Sequence, residues 1–459
     1  MPKIAFKSFR GNPWEFDIIS RKIAPANPEI ARRILRPEGG RFFAEMRGVS
    51  REYFDDQINN HAEILILNVT DRCNLRCKYC AFSGAYQGQR VHGVDSMSLD
   101  TALLAIDQFI ARAGKTLQDP GKKLAITFYG GEPLLEFDLI KEILHQVHQV
   151  RYPALSGRIT HSITTNGTLL DEEKLQVLSK YGVLLKVSID GPKEFHDRNR
   201  IQRDGSGTFD AAMCALETAH DKFPAFFNQV GYIVTLCPPF RYLERATFFN
   251  SHPLFKGHQF LVAAVAITNC NLEFDLSEQE QDFVEFSGLL RQMHQKAIRG
   301  DFDGAVFESG LFSQNLARFR QAQGEGGTET IDPNGCCIPG QRRIFLSTSG
   351  QYFLCDKVAQ NDRFSLGDIA FGVSTDRAWQ VYHDYIALSQ ADCLNCPFGN
   401  ICDYCPSSAL QGDYMGLEQK RVQCACKLPY TKQMLELYAS LTEDVSPDDL
   451  DTWIPPHLE

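Results

Sequence analysis

Short apolar runs and amphipathic stretches take turns along the middle of the chain. The runs Ile64 to Thr70, Leu124 to Tyr129, Ile159 to Thr165, Leu184 to Ile189, Val230 to Leu236 and Phe260 to Val265 have the length and bounded apolar character of strands. Between them, Leu99 to Ala113, Phe137 to Val150, Asp171 to Tyr181, Phe209 to Ala219 and Tyr242 to Phe249 carry helical patterning. A βα repeat of about six units predicts a parallel sheet with right-handed crossovers, curled into a partial barrel. Functional loops then gather at the carboxyl ends of the strands. Cys73 to Cys80 follow the first run, Gly130-Gly131-Glu132-Pro133 the second, Asn166-Gly167 the third and Asp190-Gly191-Pro192 the fourth.

The first of these loops, TDRCNLRCKYCAF, spaces Cys73, Cys77 and Cys80 as CxxxCxxC. Three thiolates on a short loop can hold three irons of a [4Fe-4S] cube and leave the fourth iron open, whereas a fourth cysteine would close the cluster. Taken by spacing alone, a zinc knuckle or a buried thiol cluster competes. With the motifs downstream, the loop resembles that of the radical S-adenosylmethionine (SAM) superfamily. The resemblance implies that SAM chelates the open iron and is cleaved by one electron to a 5′-deoxyadenosyl radical, which the protein orients and shields. It also implies a place beside the adenine for Tyr79 and a hydrogen bond from the SAM ammonium to Glu132 of the GGEP motif.

Gly130 and Gly131 would let backbone approach a ligand without a Cβ clash, and Pro133 completes the motif. Thr165 and Asn166 in TTNG, and Ser188 and Asp190 in SIDGP, offer hydroxyl, amide and carboxylate groups suited to the ribose and the methionine carboxylate. A turn or capping role competes for each of these four. Arg200 in HDRNR either pairs with the SAM carboxylate or braces its loop.

Length and charge narrow the setting. A chain of 459 residues has ample material for two or three domains. Its formal charge of −10 argues against a nucleic-acid partner, because phosphate binding wants a basic field. The first residues lack the apolar core of a secretion signal, and the longest apolar run, near Phe260 to Ile267, is too short for a membrane span. Fifteen cysteines without such a signal point to reduced, metal-binding thiolates and a cytoplasmic location.

Beyond residue 330 the repeat gives way to a loop-rich, cysteine-dense region holding Cys336, Cys337, Cys355, Cys393, Cys396, Cys402, Cys405, Cys424 and Cys426. Cys337, Gly350-x4-Cys355, CLNCPFGNICDYC and the final CAC resemble the SPASM extension of peptide-modifying radical SAM enzymes. The chain departs from that pattern at Cys402 and Cys405, which have two residues between them instead of three. Carried over, the resemblance gives one auxiliary cluster to Cys337, Cys355 and Cys405, with Cys336 a candidate fourth ligand. The other falls to Cys393, Cys396, Cys402 and either Cys424 or Cys426. Structural zinc is the competing reading of two CxxC pairs. Cys214, Cys237 and Cys270 read as core residues.

The expected architecture is therefore α/β: a partial (β/α)6 TIM-like barrel with a C-terminal loop-rich, cysteine-dense SPASM domain. Its parts are an N-terminal extension over 1–61, the barrel over 62–330, the SPASM region over 331–430, and a helix with an acidic tail over 431–459. The extension reads as a truncated leader-peptide-binding element or as plain packing, and the tail from Glu443 as solvated or partly disordered. The strings CKYCAFSGAYQGQRVHG and CCIPGQRRIFLSTSGQYFLCDKV most resemble maturases of ribosomally made peptides, some of which form cysteine thioethers. That resemblance implies three [4Fe-4S] clusters, SAM, a precursor peptide substrate, and a flavodoxin or ferredoxin reductant, while charge and apolar run length argue for no nucleic acid and no membrane. Anaerobic sulfatase-maturating enzymes are the nearest rival class, and epimerisation or carbon–carbon crosslinking are further alternatives. Asp356, directly after Cys355, sits where sulfatase-maturating enzymes carry a catalytic aspartate.

Overall fold

The computed structural model describes residues 2–26, 41–267, 269–323, 330–331 and 338–454. Cys336 and Cys337 lie outside the described residues. Ten strands form one sheet, in the order Gln259–Ala264, Gly231–Leu236, Leu184–Ser188, Ile159–Thr165, Leu124–Gly130, Ile64–Thr70, Arg343–Leu346, Gln351–Phe353, Ser365–Asp368 and Gly372–Val373. The first seven pair in parallel, and the last three fold back antiparallel.

Each of the six apolar runs is a strand within one residue of its expected ends. Alternation explains two of them in detail. Leu124, Ile126 and Phe128, like Ile159, His161 and Ile163 on the next strand, point to a fully buried face. The opposite face is half-buried and carries Thr127, whose hydroxyl lies 2.9 Å from that of Ser162. Helix starts follow their caps. Ser98 Oγ accepts from Thr101 N at 3.1 Å to open Leu99–Ala111, and Asp171 Oδ1 accepts from Lys174 N at 2.9 Å to open Glu172–Lys180.

The sheet does not stop at six parallel strands. Arg343–Leu346, from the cysteine-dense region, pairs with Ile64–Thr70 and sets Phe345 beside Ile66. Two long helices, Thr375–Cys393 and Leu417–Asp444, also stand in that region. The second carries Pro429 in its interior, where the ring removes one N–H from the helical ladder.

Described segments near both ends of the chain pack against the rest. Lys3–Lys7, Pro13–Asp17 and Ile23–Pro25 form a small antiparallel sheet, and Arg51–Asn60 is a helix. Phe9 N donates to Ser440 Oγ at 2.8 Å, Arg10 pairs with Asp444 at 2.6 Å, and Trp14 Nε1 donates to Glu443. Asn400 Nδ2 reaches Ile18 O at 2.6 Å, so the extension touches both the cysteine-dense region and the C-terminal helix.

Two expectations hold only in part here. The acidic tail is solvated only in part: Asp444 is buried between Arg10 and His294, and Pro447–Trp453 is a helix that exposes Asp448, Asp449 and Asp451 but seats Trp453 at 1% exposure. What composition did not show is that Trp453 and Ile454 enter the core. Cys214 is exposed on Phe209–Lys222 and Cys270 is only partly buried; Cys237 alone of the three is a core residue.

Candidate active site

The loop after Ile64–Thr70 is held by its own backbone and by two neighbouring rims. Leu75 N donates to Cys73 Sγ and Phe82 N to Cys80 Sγ, each at 3.4 Å, while Cys80 N donates to Cys77 O at 3.1 Å. Arg76 N and Lys78 N reach Ile201 O and Asn199 O at 2.7 and 2.9 Å, fastening the loop to the segment after the fourth strand. Asn166 Nδ2 donates to Asn74 Oδ1 at 2.9 Å, fastening it to the end of the third.

Burial pushes the Cys73 thiol up to about 12 and Cys77 to about 11, and raises Cys80; each also feels the charge of at least one of the others or of a nearby arginine. Such a trio resists becoming three thiolates unless a compensating cation arrives, and iron supplies that charge. Arg90 stands by. It pairs with Asp71 at 3.0 Å and stacks 3.6 Å from the Phe82 ring centre, yet its buried Nε and Nη2 have no partner among the described residues. A buried cation with spare donors beside Cys73 and Cys80 fits an anionic group there.

Gly130 and Gly131 are needed for a reason within the chain itself. A Cβ on Gly130 would fall 2.5 Å from Thr70 O, and one on Gly131 would fall 2.1 Å from Arg72 O and 3.0 Å from Cys73 Cβ. The glycines thus let the second rim close against the cysteine loop itself, sealed by Gly131 N to Thr70 O at 2.9 Å and Glu132 N to Arg72 O at 2.8 Å.

Glu132 is 1% exposed. Its Oε1 accepts from Thr165 Oγ1 at 2.7 Å and Leu134 N at 3.0 Å, and its Oε2 from Asn166 N at 2.8 Å. Burial raises its carboxyl despite these donors, and Oε2 retains room for a further one. Pro133 follows at the start of a short 3₁₀ turn.

Asp190 is answered from several sides. Tyr79 Oη donates to Oδ2, Arg200 Nε to Oδ2 at 3.0 Å, and Thr235 N to Oδ1 at 3.0 Å. Burial alone would raise this carboxyl, but the Arg200 and His196 charges with these donors hold it below the ordinary range. Arg200 pairs with Asp190, and Tyr79 is tied to the same pair. Ser188 is buried at the end of the neighbouring strand.

Cys355 and Asp356 follow Gln351–Phe353. Lys357 N donates to Cys355 Sγ at 3.4 Å, and Asp356 lies 4.0 Å from Arg343. Tyr129, at the end of the second strand, joins the two halves. Burial raises its hydroxyl, Asp356, Cys80 and Cys355 raise it further, and Arg90 opposes them. Its ring lies edge-on 6.3 Å from Phe82, beside the three-cysteine loop, and 6.5 Å from Phe345, the sheet partner of Phe353 two residues before Cys355.

A second thiol group gathers farther along. Cys393, Cys396, Cys402 and Cys424 line one cavity of about 410 Å3, with Tyr385, Phe398 and Tyr404 in its wall. Burial pushes Cys396 up to about 12 and Cys424 to about 11, and charges on the other thiols of the set add to both. Of the CAC cysteines, Cys424 lines the cavity on one face with Lys420, Lys427 and Thr431, whereas Cys426 is exposed. Among the described residues no three His, Cys, Asp or Glu side chains converge on the point a single ion would occupy. The cavity that the four thiols help to line is far larger than the roughly 10–15 Å3 needed by one water-sized occupant. Cys405, hydrogen-bonded to Ser407 Oγ at 3.1 Å, does not line this cavity.

Sequence reasoning passed over Asn74, Arg90, Tyr129 and Lys420. Only Lys420 carried a signal, four residues before Cys424 on one helix. The others are identified by tertiary contact.

A curled parallel sheet with a three-cysteine loop on its first rim defines the class of fold and site. The chain matches the family model described as Radical SAM superfamily over residues 67–238. It is 30% identical over 353 residues to the serine-type anaerobic sulfatase-maturating enzyme of Klebsiella aerogenes, covering 75% of this chain and 79% of that one. It is 23% identical over 346 residues to the cysteine-type anaerobic sulfatase-maturating enzyme of Clostridium perfringens, covering 74% and 87%. The solved structure of anSMEcpe with bound AdoMet superposes with a TM-score of 0.61 at 19% identity, covering 86% of this chain and 98% of that one. The chain belongs to the radical SAM superfamily, in the branch that holds the anaerobic sulfatase-maturating enzymes. It is accordingly an enzyme that uses SAM with a [4Fe-4S] cluster. Among the described residues, no helix is long and apolar enough to cross a membrane.

Proposed function

We propose that this enzyme oxidises a peptide by removing a carbon-bound hydrogen at the barrel mouth, and that the product is a cysteine thioether crosslink. The observation that carries the reading is Tyr129, whose ring lies 6.3 Å from Phe82 beside the three-cysteine loop and 6.5 Å from Phe345, the sheet partner of Phe353 two residues before Cys355. Cys73, Cys77 and Cys80 would hold the SAM-binding cluster. When bound, that cluster and SAM supply a 5′-deoxyadenosyl radical able to take a hydrogen atom from carbon. Glu132 offers its remaining acceptor site to an ammonium, and Thr165, Asn166 and Ser188 present their polar groups along the same rim. Asp190, Tyr79 and Arg200 act as one braced unit that keeps that rim in place. Asp356 is assigned the proton that leaves the substrate, accepted on its carboxylate.

Cys393, Cys396, Cys402 and Cys424 would hold one auxiliary iron–sulfur cluster; Cys355 and Cys405, with Cys336 or Cys337, are assigned to another. Such clusters give the surplus electron a way out, and a flavodoxin or ferredoxin of the cytoplasm is the proposed reductant. A second reading, oxidation of a protein side chain, is favoured by the long alignments with sulfatase-maturating enzymes. Mass spectrometry of a precursor peptide co-expressed anaerobically separates the two. A loss of about two mass units per site with cysteines protected from alkylation supports the thioether, as expected when two hydrogens leave. The same loss with a serine converted to an aldehyde, or a loss of about 18 mass units with a cysteine converted to an aldehyde as its sulfur leaves and oxygen from water enters, supports the second reading. Unchanged mass with no deuterium incorporation from solvent would overturn both.

A further inference from the structure

Lys420 is an unusual neighbour for a thiol site. It is 3% exposed, and its Nζ donates to Cys393 Sγ at 3.1 Å. The same ammonium stands 5.3 Å from the centre of the Tyr385 ring. Lys427, one turn beyond Cys424, has its charge answered by Asp403 at 2.9 Å. Among the described residues no carboxylate forms an ion pair with Lys420: Asp392, which feels its charge, is held by Arg421 at 2.8 Å, and the close acceptor of Lys420 is sulfur. Burying an unpaired ammonium is costly, and a lysine kept in such a place needs an anion. The four-thiol cavity would hold one: a thiolate-ligated iron–sulfur cluster is negatively charged, and each electron added makes it more so. Hydrogen bonds to the sulfurs and nearby positive charge favour the reduced form and raise the potential.

We propose that Lys420 sets the reduction potential of the cluster held by Cys393, Cys396, Cys402 and Cys424, stabilising its one-electron-reduced form through the ammonium held against Cys393 Sγ. The inference rests on the iron–sulfur reading of the four-cysteine cavity. A lysine that only plugged the wall would leave the potential where it is.

The test is a redox titration of the full-length, anaerobically purified protein followed by electron paramagnetic resonance, with dithionite and mediators supplying the electron. The signal of this site is the one missing from Cys396→Ala. In Lys420→Met the ratio of reduced to oxidised cluster at a fixed potential should fall at least tenfold, a midpoint lower by about 59 mV or more for one electron. Lys420→Arg should stay within threefold of the unmodified protein. A Lys420→Met protein with full iron and a ratio within threefold would overturn the proposal. If that variant fails to retain its iron, Lys420→Gln, which keeps an N–H donor and drops the charge, is titrated by the same criteria. A Cys396→Ala protein that loses neither iron nor signal would instead sink the four-cysteine reading itself, an outcome distinct from any Lys420 result.

Discussion

Replacing Gly131 by alanine should disable the three-cysteine loop without touching a thiol. The added Cβ would fall 2.1 Å from Arg72 O and 2.6 Å from Arg72 C, where real Cβ contacts essentially never come below 3.0 Å, so the two rims must part by at least about 0.9 Å. The atoms in the way are backbone, which cannot swing aside as a side chain can. Opening that gap strains Gly131 N to Thr70 O and Glu132 N to Arg72 O, and it carries Cys73 with it. Overpacking of this kind costs about 1–3 kcal/mol, which a chain of this size should survive. Displacing a catalytic group by about 1 Å can cost roughly 100-fold in rate. Release of 5′-deoxyadenosine from SAM under dithionite, followed by liquid chromatography and mass spectrometry, should therefore fall about 100-fold in Gly131→Ala. Gly157→Ala, whose Cβ meets nothing within 4 Å, should match the unmodified protein. A Gly131→Ala enzyme with normal iron content and a rate within threefold would refute the argument that these glycines exist to seat the cysteine loop.

Three further outcomes follow from buried groups. Asp190→Asn leaves Arg200, 9% exposed at its side chain, without its anion, and should lower stability by about 3–5 kcal/mol; unfolding curves that superimpose would show that the pair contributes little. The Asp190 carboxyl sits below its ordinary value when folded, so its stabilisation is present above the ordinary carboxylate range and is lost as pH falls through the lower, folded value. His161 lies 1% exposed against Phe128, both ring nitrogens lack a partner among the described residues, and burial drops its pKa to about 3. The unfolded chain takes up this proton near pH 6.5 while the folded one refuses it. Stability should thus fall by about 1.4 kcal/mol per pH unit below that point, continuing toward the folded value. In His161→Phe this contribution vanishes, and equal losses in both proteins between pH 7.5 and 5.5 would contradict it. Trp453→Ala, which empties a fully buried site beside Phe302, should cost about 3–5 kcal/mol; a melting temperature shifted by less than a degree would restore the solvated tail.

The barrel was legible because each strand announces itself locally: a six- or seven-residue apolar run with turn residues after it. Arg343–Leu346 was not, since four residues give too little periodicity and its place is set by pairing with a strand almost three hundred residues earlier. The cysteines declared themselves by spacing, and the cavity lining then set Cys424 apart from the exposed Cys426. The partners of Asp190 were not readable, because Tyr79, Arg200 and Thr235 arrive from three separate rims. Trp453 shows the opposite failure, an acidic composition concealing one aromatic anchor.

The central claim is that hydrogen leaves a peptide carbon for the SAM-derived adenosyl group at the barrel mouth. It is tested most directly by incubating the enzyme, SAM and reductant with a precursor peptide carrying carbon-bound deuterium and weighing the 5′-deoxyadenosine produced. Deuterium should appear in that product only when the labelled peptide is present, and should be lost in Cys77→Ala together with the product itself. Unlabelled 5′-deoxyadenosine, formed at the same rate with and without peptide, would contradict the account.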